Sequence, residues 1–245
     1  MREMPETFTA RLVRARPLTP RVRELTFERE DARPFAFQAG QWVSLLTPLL
    51  DDKGRPVRRS YSISSIPDGE GRFELVVTKV EGGLASNWLH ELEPGASVEV
   101  KGPQGTFVRS LEAPKPSLLI ATGTGIAPFR GMVAEALRAG RTEPVWILFG
   151  IRTAADGLYL GEFERLAVEH PWLRLEVTLS RPAADWTGRR GYVQTHVREL
   201  WAELVKHGES EAYVCGVLKM LTDVRAVLKG ELGLDRHHIH AESYG

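Results

Sequence analysis

The fold of the second half of the chain is decided by the stretch Leu118-Leu119-Ile120-Ala121-Thr122-Gly123-Thr124-Gly125-Ile126-Ala127-Pro128. An apolar run typical of a buried strand leads into a Thr-Gly-Thr-Gly turn, and Pro128 then opens an amphipathic helix. Glycines let a backbone approach a pyrophosphate closely, and the next helix offers free N–H groups and a positive dipole end. The stretch therefore predicts a phosphate-binding strand–turn–helix unit, with a ligand-free glycine turn as the alternative. Its candidate contacts are Thr122, Gly123, Thr124, Gly125 and Pro128.

Short apolar strands alternate with helical patterns throughout this half. Strands are predicted at 117–121, 145–150, 173–179, 212–215 and 238–241, and helices over 129–137, 193–204 and 217–228. Such alternation is typical of a doubly wound α/β fold, so we predict a parallel five-stranded sheet. A linker containing Pro114 and Pro116 precedes it, which predicts domains at 1–112 and 113–245.

The first half of the chain is dominated by β patterns. Runs rich in β-branched and aromatic residues lie at 8–15, 22–27, 41–46, 57–64, 73–80 and 97–101, between Pro, Gly and Asp turn signals. A single helix interrupts them, because apolar residues recur at helical spacing from Leu84 to Leu92 before Pro94-Gly95 ends the pattern. This half is therefore predicted to form a closed, antiparallel, six-stranded Greek-key β-barrel.

Composition narrows the class of protein. The 245 residues carry 32 basic and 32 acidic side chains, so no net basic field attracts nucleic acid or anionic lipid. The single cysteine excludes an internal disulfide, a Cys₄ zinc site and an iron–sulfur cluster, so redox chemistry here needs an organic cofactor. Residues 1–10 lack the apolar core of a signal peptide and no membrane-length apolar run follows, so we expect a cytoplasmic protein without a membrane span.

The barrel half carries two further candidate anion sites. In Arg58-Arg59-Ser60-Tyr61-Ser62, the alternation of a strand puts Arg59 and Tyr61 on one face, where a guanidinium beside a ring suits a phosphorylated planar ligand. Farther on, Gly82-Gly83-Leu84-Ala85-Ser86-Asn87 leads into the helix and predicts a second glycine-plus-helix-start site. The alternatives are a surface arginine pair and a simple helix cap at Ser86.

Five motifs together, in this order, resemble those of the ferredoxin–NADP⁺ reductase superfamily. The resemblance covers nearly the whole chain, and that family has a flavin-binding barrel followed by a pyridine-nucleotide α/β domain. The motifs are Arg59-Ser60-Tyr61-Ser62 (RxYS), Gly83-Leu84-Ala85-Ser86 (GxxS), Gly123 to Pro128 (GTGxxP), Cys215-Gly216 with Met220 (CGxxxM) and Glu242-Ser243-Tyr244 (Glu-x-aromatic).

For the flavin, the resemblance implies that Tyr61 lies against the isoalloxazine, Arg59 meets the phosphates and Ser62 sits near flavin N5. The second phosphate site at Ser86 implies FAD rather than FMN. The flavin-binding residues are then Arg59, Ser60, Tyr61, Ser62, Gly83, Leu84, Ala85 and Ser86.

For the nicotinamide nucleotide, the resemblance implies a pyrophosphate on the Thr122-to-Pro128 loop and Cys215 near nicotinamide C4. A buried, purely apolar cysteine is the alternative for Cys215. Glu242 is expected to complete the nicotinamide cluster and Tyr244 to cover the flavin, so Ser62, Cys215, Glu242 and Tyr244 are the predicted catalytic residues. Further nucleotide contacts are Gly150, Arg152, Gly216 and Met220.

The ribose end of the nucleotide site predicts a preference for NADP(H) over NAD(H). Ser180-Arg181 follows the third strand of the sheet, where an arginine can clasp a 2′-phosphate and an acidic residue would instead bind the 2′-hydroxyl. Arg190 and Tyr192 add charge and a ring nearby. A solvated turn is the alternative, and the Trp-x-Gly-x-x-Gly pattern at 186–191 also resembles NADH-using relatives. No metal site is expected, although His238 and His240 share a strand face.

The sequence thus predicts a flavoenzyme that moves hydride between NADP(H) and FAD and single electrons to or from a separate ferredoxin or flavodoxin. One alternative is the NADH-dependent reductase component of an oxygenase system. Another is a non-catalytic flavin- or nucleotide-binding module.

Overall fold

The computed structural model describes residues 5–244, which form two compact units. The first unit runs to Arg109 and also includes Ala127–Glu135, whereas the second comprises Ser110–Ile126 and the chain from Ala136 onward. The predicted boundary at residue 112 does not take account of Ala127–Glu135. This short segment belongs to the first unit because its residues contact the barrel.

The first unit is the predicted six-stranded antiparallel barrel. Its strands are hydrogen-bonded in the order β4-β3-β6-β1-β2-β5, and an antiparallel bridge between Ile63 and Leu75 closes the sheet. The elements are β1 (Glu6–Thr19), β2 (Val22–Arg29), β3 (Trp42–Leu50), β4 (Pro56–Ser62), β5 (Arg72–Thr78), the helix α1 (Leu84–Glu91) and β6 (Ser97–Gln104).

Alternation along the strands builds the core of the barrel. Phe8, Ala10 and Leu12 of β1 are buried while the residues between them are exposed, as expected for a strand with one face inward. The rings of Phe35 and Phe73 pack 5.0 Å apart at the centre of this core. Burial of these rings supplies a large hydrophobic contribution to the stability of the barrel.

The second unit contains a parallel sheet with six strands instead of the predicted five. The additional strand β10 has only two residues, too few for a recognisable sequence pattern. The strands are β7 (Ser117–Thr122), β8 (Val145–Ile151), β9 (Leu173–Leu179), β10 (Arg189–Arg190), β11 (Glu211–Val217) and β12 (Ile239–Tyr244), hydrogen-bonded in the order β10-β9-β8-β7-β11-β12.

Within residues 5–244, four α-helices follow α1 along the chain. They are α2 (Ala127–Arg138), α3 (Leu160–Glu169), α4 (Gln194–Leu204) and α5 (Leu218–Arg225). The predicted elements do not include α3, although its apolar residues Leu160, Phe163, Leu166 and Ala167 recur at helical spacing. Phe163 is its single buried residue, and the apolar Val168 is 86% exposed.

The order of the sheet reverses at β7. From β7 the chain adds β8, β9 and β10 on one side, and then β11 and β12 on the other. Ligands of open α/β sheets bind at such a switch point, beyond the carboxyl ends of the strands. The fold therefore directs attention to the residues that follow β7 and β11. Within residues 5–244, no helix combines the length and the apolar character needed to cross a membrane.

Candidate active site

The predicted phosphate loop lies at the switch point. Strand β7 ends at Thr122, a 3₁₀ turn spans Gly123–Ile126, and α2 begins at Ala127. Gly123 has a φ of +53° with open space where a Cβ would point, so its backbone is accessible to a ligand. A Cβ on Gly125 would lie 2.1 Å from the Cys215 carbonyl oxygen, so only glycine allows the loop to pack this closely on β11.

A glycine near the end of the neighbouring strand β11 packs closely against Thr122, the last residue of β7. Gly216 has a φ of +149°, and a Cβ there would lie 2.4 Å from Thr122 Oγ1. The hydroxyl of Thr122 is buried and has no hydrogen-bond partner among residues 5–244. A buried hydroxyl without a partner is costly, so this position fits a polar ligand group at the strand ends.

The structure brings Cys215, Glu242 and Tyr244 together on two adjacent parallel strands. Cys215 of β11 pairs in register with Glu242 of β12, and Val217 pairs with Tyr244. Burial raises the pKa of the Cys215 thiol well above its ordinary value, a hydrogen bond with Tyr244 opposes that shift, and the charge of Glu242 adds to it. Cys215 is fully buried, and its raised pKa keeps the thiol neutral at physiological pH, which does not suit nucleophilic catalysis.

Two predicted arginines meet near the ends of β8 and β9. The Arg181 N–H donates to the Arg152 carbonyl at 2.8 Å, directly after the Ser180 N–H donates to the Ile151 carbonyl at 3.0 Å. Arg152 and Arg181 are exposed, and neither has a carboxylate partner among residues 5–244. Two free guanidiniums on neighbouring strand ends can bind a phosphate group.

The other predicted residues of this region have different surroundings. Arg190 directs its guanidinium to carbonyl oxygens of its own loop, including that of Trp186 at 2.6 Å. The neighbouring Arg189 is held by Glu176 and Glu199, each at 2.8 Å, and so stabilises β10 and α4. Tyr192 leaves two-thirds of its surface (66%) exposed, which keeps a ring available beside the loop.

In the first unit, β4 places Arg59 and Tyr61 close together. Burial raises the pKa of Tyr61 to about 12, and the positive charge of Arg59 opposes this shift. Arg59 is exposed, donates to the Arg58 carbonyl at 2.8 Å and has no carboxylate partner among residues 5–244. Ser60 instead pairs with Ser44, their hydroxyls being 3.2 Å apart, whereas Ser62 is buried at the end of the strand.

The turn before α1 presents backbone groups. The hydroxyl of Ser86 accepts from the Val80 N–H and donates to the Gly83 carbonyl, both at 3.2 Å, so it stabilises the turn itself. Gly82 has a φ of +70° with open space above it, and the first turn of α1 leaves the N–H groups of Leu84, Ala85 and Ser86 without intrahelical partners. The backbone N–H groups, and not the Ser86 hydroxyl, are thus the donors that can meet an anion here.

A second buried hydroxyl lies just beyond the RxYS residues. Ser64 is fully buried, and its Oγ has no hydrogen-bond partner among residues 5–244. The sequence offered no signal for this position except its place in a serine-rich run. Because this hydroxyl has no exposed surface, Ser64 does not itself offer a group to a ligand, and the accessible polar groups of the barrel remain Arg59 and the open turn at Gly82.

Comparison with known proteins agrees with this geometry. The family model "Oxidoreductase FAD-binding domain" matches residues 9–108, and "Oxidoreductase NAD-binding domain" matches residues 119–226. The chain is 51% identical to Ferredoxin--NADP reductase B of Sorangium cellulosum, with 98% of both chains covered. It is 28% identical to the Phenol hydroxylase P5 protein of Acinetobacter pittii, covering 98% of this chain and 66% of that relative. The crystal structure of the Amycolatopsis reductase GcoB superposes with a TM-score of 0.83 at 31% identity, covering 98% of this chain and 70% of that one.

The two family models and the similarity to a ferredoxin–NADP reductase over nearly the whole chain define an FAD-dependent NAD(P)H oxidoreductase. The chain belongs to the ferredoxin–NADP⁺ reductase superfamily.

Proposed function

We propose that the protein is a ferredoxin–NADP⁺ reductase. It transfers hydride between NADP(H) and FAD, and single electrons to or from a separate ferredoxin- or flavodoxin-type carrier in the cytoplasm. The 51% identity to the Sorangium cellulosum reductase over 98% of both chains carries this proposal. In the direction of carrier reduction, NADPH gives up hydride to become NADP⁺, two carriers each take one electron, and one proton is released.

FAD supplies the chemistry, because a flavin exchanges electrons with a nicotinamide as a hydride and with a carrier one at a time. Arg59 and the N–H groups that open α1 neutralise the flavin phosphates, since both are positively polarised and accessible. The half-buried ring of Tyr61 gives the isoalloxazine an apolar wall. Ser62 lies next along β4 and holds its hydroxyl near flavin N5.

The residues of the switch point bind the nicotinamide nucleotide. The N–H groups of the Gly123–Ile126 turn meet the pyrophosphate, and the hydroxyl of Thr122 gains the partner that it lacks. The neutral thiol of Cys215 packs near nicotinamide C4 and adds no charge beside it. Glu242 and Tyr244 border the same position from β12.

NADP(H) is the preferred nucleotide. Arg152 and Arg181 are exposed and have no carboxylate partner within residues 5–244, so the 2′-phosphate supplies their counter-charge. Ser180 stands where an acidic residue would bind the 2′-hydroxyl of NAD(H). The steady-state kcat/KM measured with NADPH and with NADH tests this preference, and a strong advantage for NADH contradicts it.

The second candidate is the NADH-dependent reductase component of an oxygenase system. The 28% identity to the Phenol hydroxylase P5 protein and the pattern at 186–191 favour it. Supplying NADPH and a ferredoxin, or NADH and an oxygenase component, distinguishes the two candidates by the faster turnover. A purified protein that remains colourless after addition of FAD rejects both and supports a module without catalytic activity.

A further inference from the structure

The turn that follows β4, the strand of the RxYS residues, is hydrogen-bonded to β5. The Ser64 N–H donates to the Glu74 carbonyl at 2.8 Å, and the Glu74 N–H donates to the Ser65 hydroxyl at 3.1 Å. This turn begins directly after Ser62, the residue proposed to meet flavin N5. Its position therefore sets where β4 ends and how the Ser62 side chain is presented.

A side chain from α2 completes this attachment. Arg130 Nη1 donates to the Ser64 carbonyl at 3.2 Å and to Glu74 Oε2 at 2.7 Å. Both side chains are largely buried, with 15% of Arg130 and 22% of Glu74 exposed. A charge-assisted hydrogen bond in such surroundings is stronger than one on an open surface, and its loss leaves two acceptors poorly satisfied.

The neighbouring residues of α2 bring its backbone close to the same turn. A Cβ on Gly131 would lie 3.0 Å from Ala39 Cβ and 3.1 Å from the Ser65 carbonyl oxygen. Glu135 Oε1 accepts from the Ala39 N–H at 3.2 Å. Helix α2 thus approaches the turn at Arg130 and Gly131 and is also bonded to Ala39 through Glu135. Of these residues, Arg130 is the one that reaches a carbonyl two residues beyond Ser62.

We propose that Arg130 is a positioning residue of the flavin site. By binding the Ser64 carbonyl and the Glu74 carboxylate together, it fixes the end of β4 and so the placement of Tyr61 and Ser62 against the flavin. Arg130 itself does not touch the flavin. This inference rests on the proposed function, because it assumes that FAD occupies the site beside β4.

The test compares Arg130→Gln with a matched control in the same unit. The control is Arg16→Gln, because Arg16 pairs with the buried Glu24 at 2.5 Å between β1 and β2, which contain none of the flavin motif. Each purified variant is titrated with FAD, and the Kd, the visible flavin spectrum, the Tm and the kinetics with NADPH are measured.

Arg130→Gln is expected to raise the Kd for FAD by about tenfold and to displace the flavin absorption bands. Its kcat should fall more than its KM for NADPH changes. Arg130→Lys keeps the charge but carries it on a shorter side chain without the planar guanidinium, so it should recover only part of the affinity. Arg16→Gln should lower the Tm and leave the Kd and the spectrum unchanged.

Three outcomes overturn the inference. In the first, Arg130→Gln lowers the Tm as the control does but keeps the wild-type Kd and spectrum. If Arg130→Gln does not fold, Arg130→Lys and Glu74→Gln replace it, and wild-type flavin properties in both reject the positioning role. In the third outcome, the wild-type protein does not bind FAD, and the proposed function fails with the inference.

Discussion

Removal of one exposed charge from the ends of β8 and β9 should change the choice of nucleotide. In Arg181→Gln, the 2′-phosphate of NADPH loses one of the two arginines proposed to bind it, whereas NADH has no group at that position. A hydrogen bond to a charged group contributes about 1.5–3 kcal/mol. Because Arg181 is exposed, solvent and salt screen the interaction, and the lower part of this range applies.

The expected result is an increase of about 10- to 30-fold in the KM for NADPH, with the KM for NADH and both kcat values nearly unchanged. Steady-state diaphorase assays with an artificial acceptor measure this, because they need no protein carrier. Arg152→Gln should act in the same direction, and the effect should weaken as salt is added. The matched control is Arg165→Gln, an exposed arginine of α3 that pairs with Glu169.

Equal losses with NADPH and NADH would refute this reasoning, since they would place Arg181 at a part of the nucleotide that both cofactors share. Unchanged kinetics with both nucleotides would show that the exposed pair belongs to a solvated turn. The NADP(H) preference would then need another source on this chain.

Three further predictions concern the second unit. Gly125→Ala should abolish tight nucleotide binding and destabilise the fold by about 2 kcal/mol or more, because the added Cβ would lie 2.1 Å from the backbone of β11. The control in thermal melts is Gly161→Ala, whose added Cβ contacts nothing within 4 Å. Cys215 should resist alkylation by iodoacetamide at neutral pH in the native protein and react after unfolding, as mass spectrometry will show, because burial raises the pKa of its thiol; rapid labelling of the native protein contradicts this. The imidazole of His240 is the main cause that lowers the pKa of Glu211 from 4.5 to about 2. The stability that this lowered pKa provides is therefore present above about pH 4.5 and is lost as the pH falls toward 2. Denaturant unfolding measured between these pH values should therefore show a weaker loss of stability on acidification in Glu211→Gln than in wild type, and equal pH profiles contradict the assignment.

Much of the architecture could be predicted because its signals are local. Strand β1 alternates with period two from Phe8 to Leu12, and β8 is a continuous apolar run, so both patterns are visible in the sequence alone. The two-residue β10 is too short to show a periodic pattern, and it escaped prediction. Helix α3 was also missed, although its apolar residues recur at helical spacing. The packing of Ala127–Glu135 with the barrel depends on contacts with residues far away in sequence, which no local pattern records.

The sequence indicates which residues are candidates for the site, but it does not show which of their atoms are available to a ligand. The sequence predicts that Arg59 and Tyr61 share a strand face, and in the structure the charge of Arg59 lowers the pKa of Tyr61 against the effect of burial. It could not show that the Ser86 hydroxyl is used within its own turn, or that Arg190 binds the carbonyls of its loop. Arg130 gave no signal, because its partners Ser64 and Glu74 lie more than fifty residues earlier in the chain.

Rapid mixing without oxygen tests the central claim most directly. The FAD-loaded protein is mixed first with NADPH or NADH, and then with an oxidised ferredoxin whose absorbance is followed. The account predicts that NADPH bleaches the flavin faster than NADH does, and that two ferredoxins are then reduced for each NADPH consumed. A flavin that NADPH does not bleach, or a reduced flavin that leaves the ferredoxin oxidised, contradicts it.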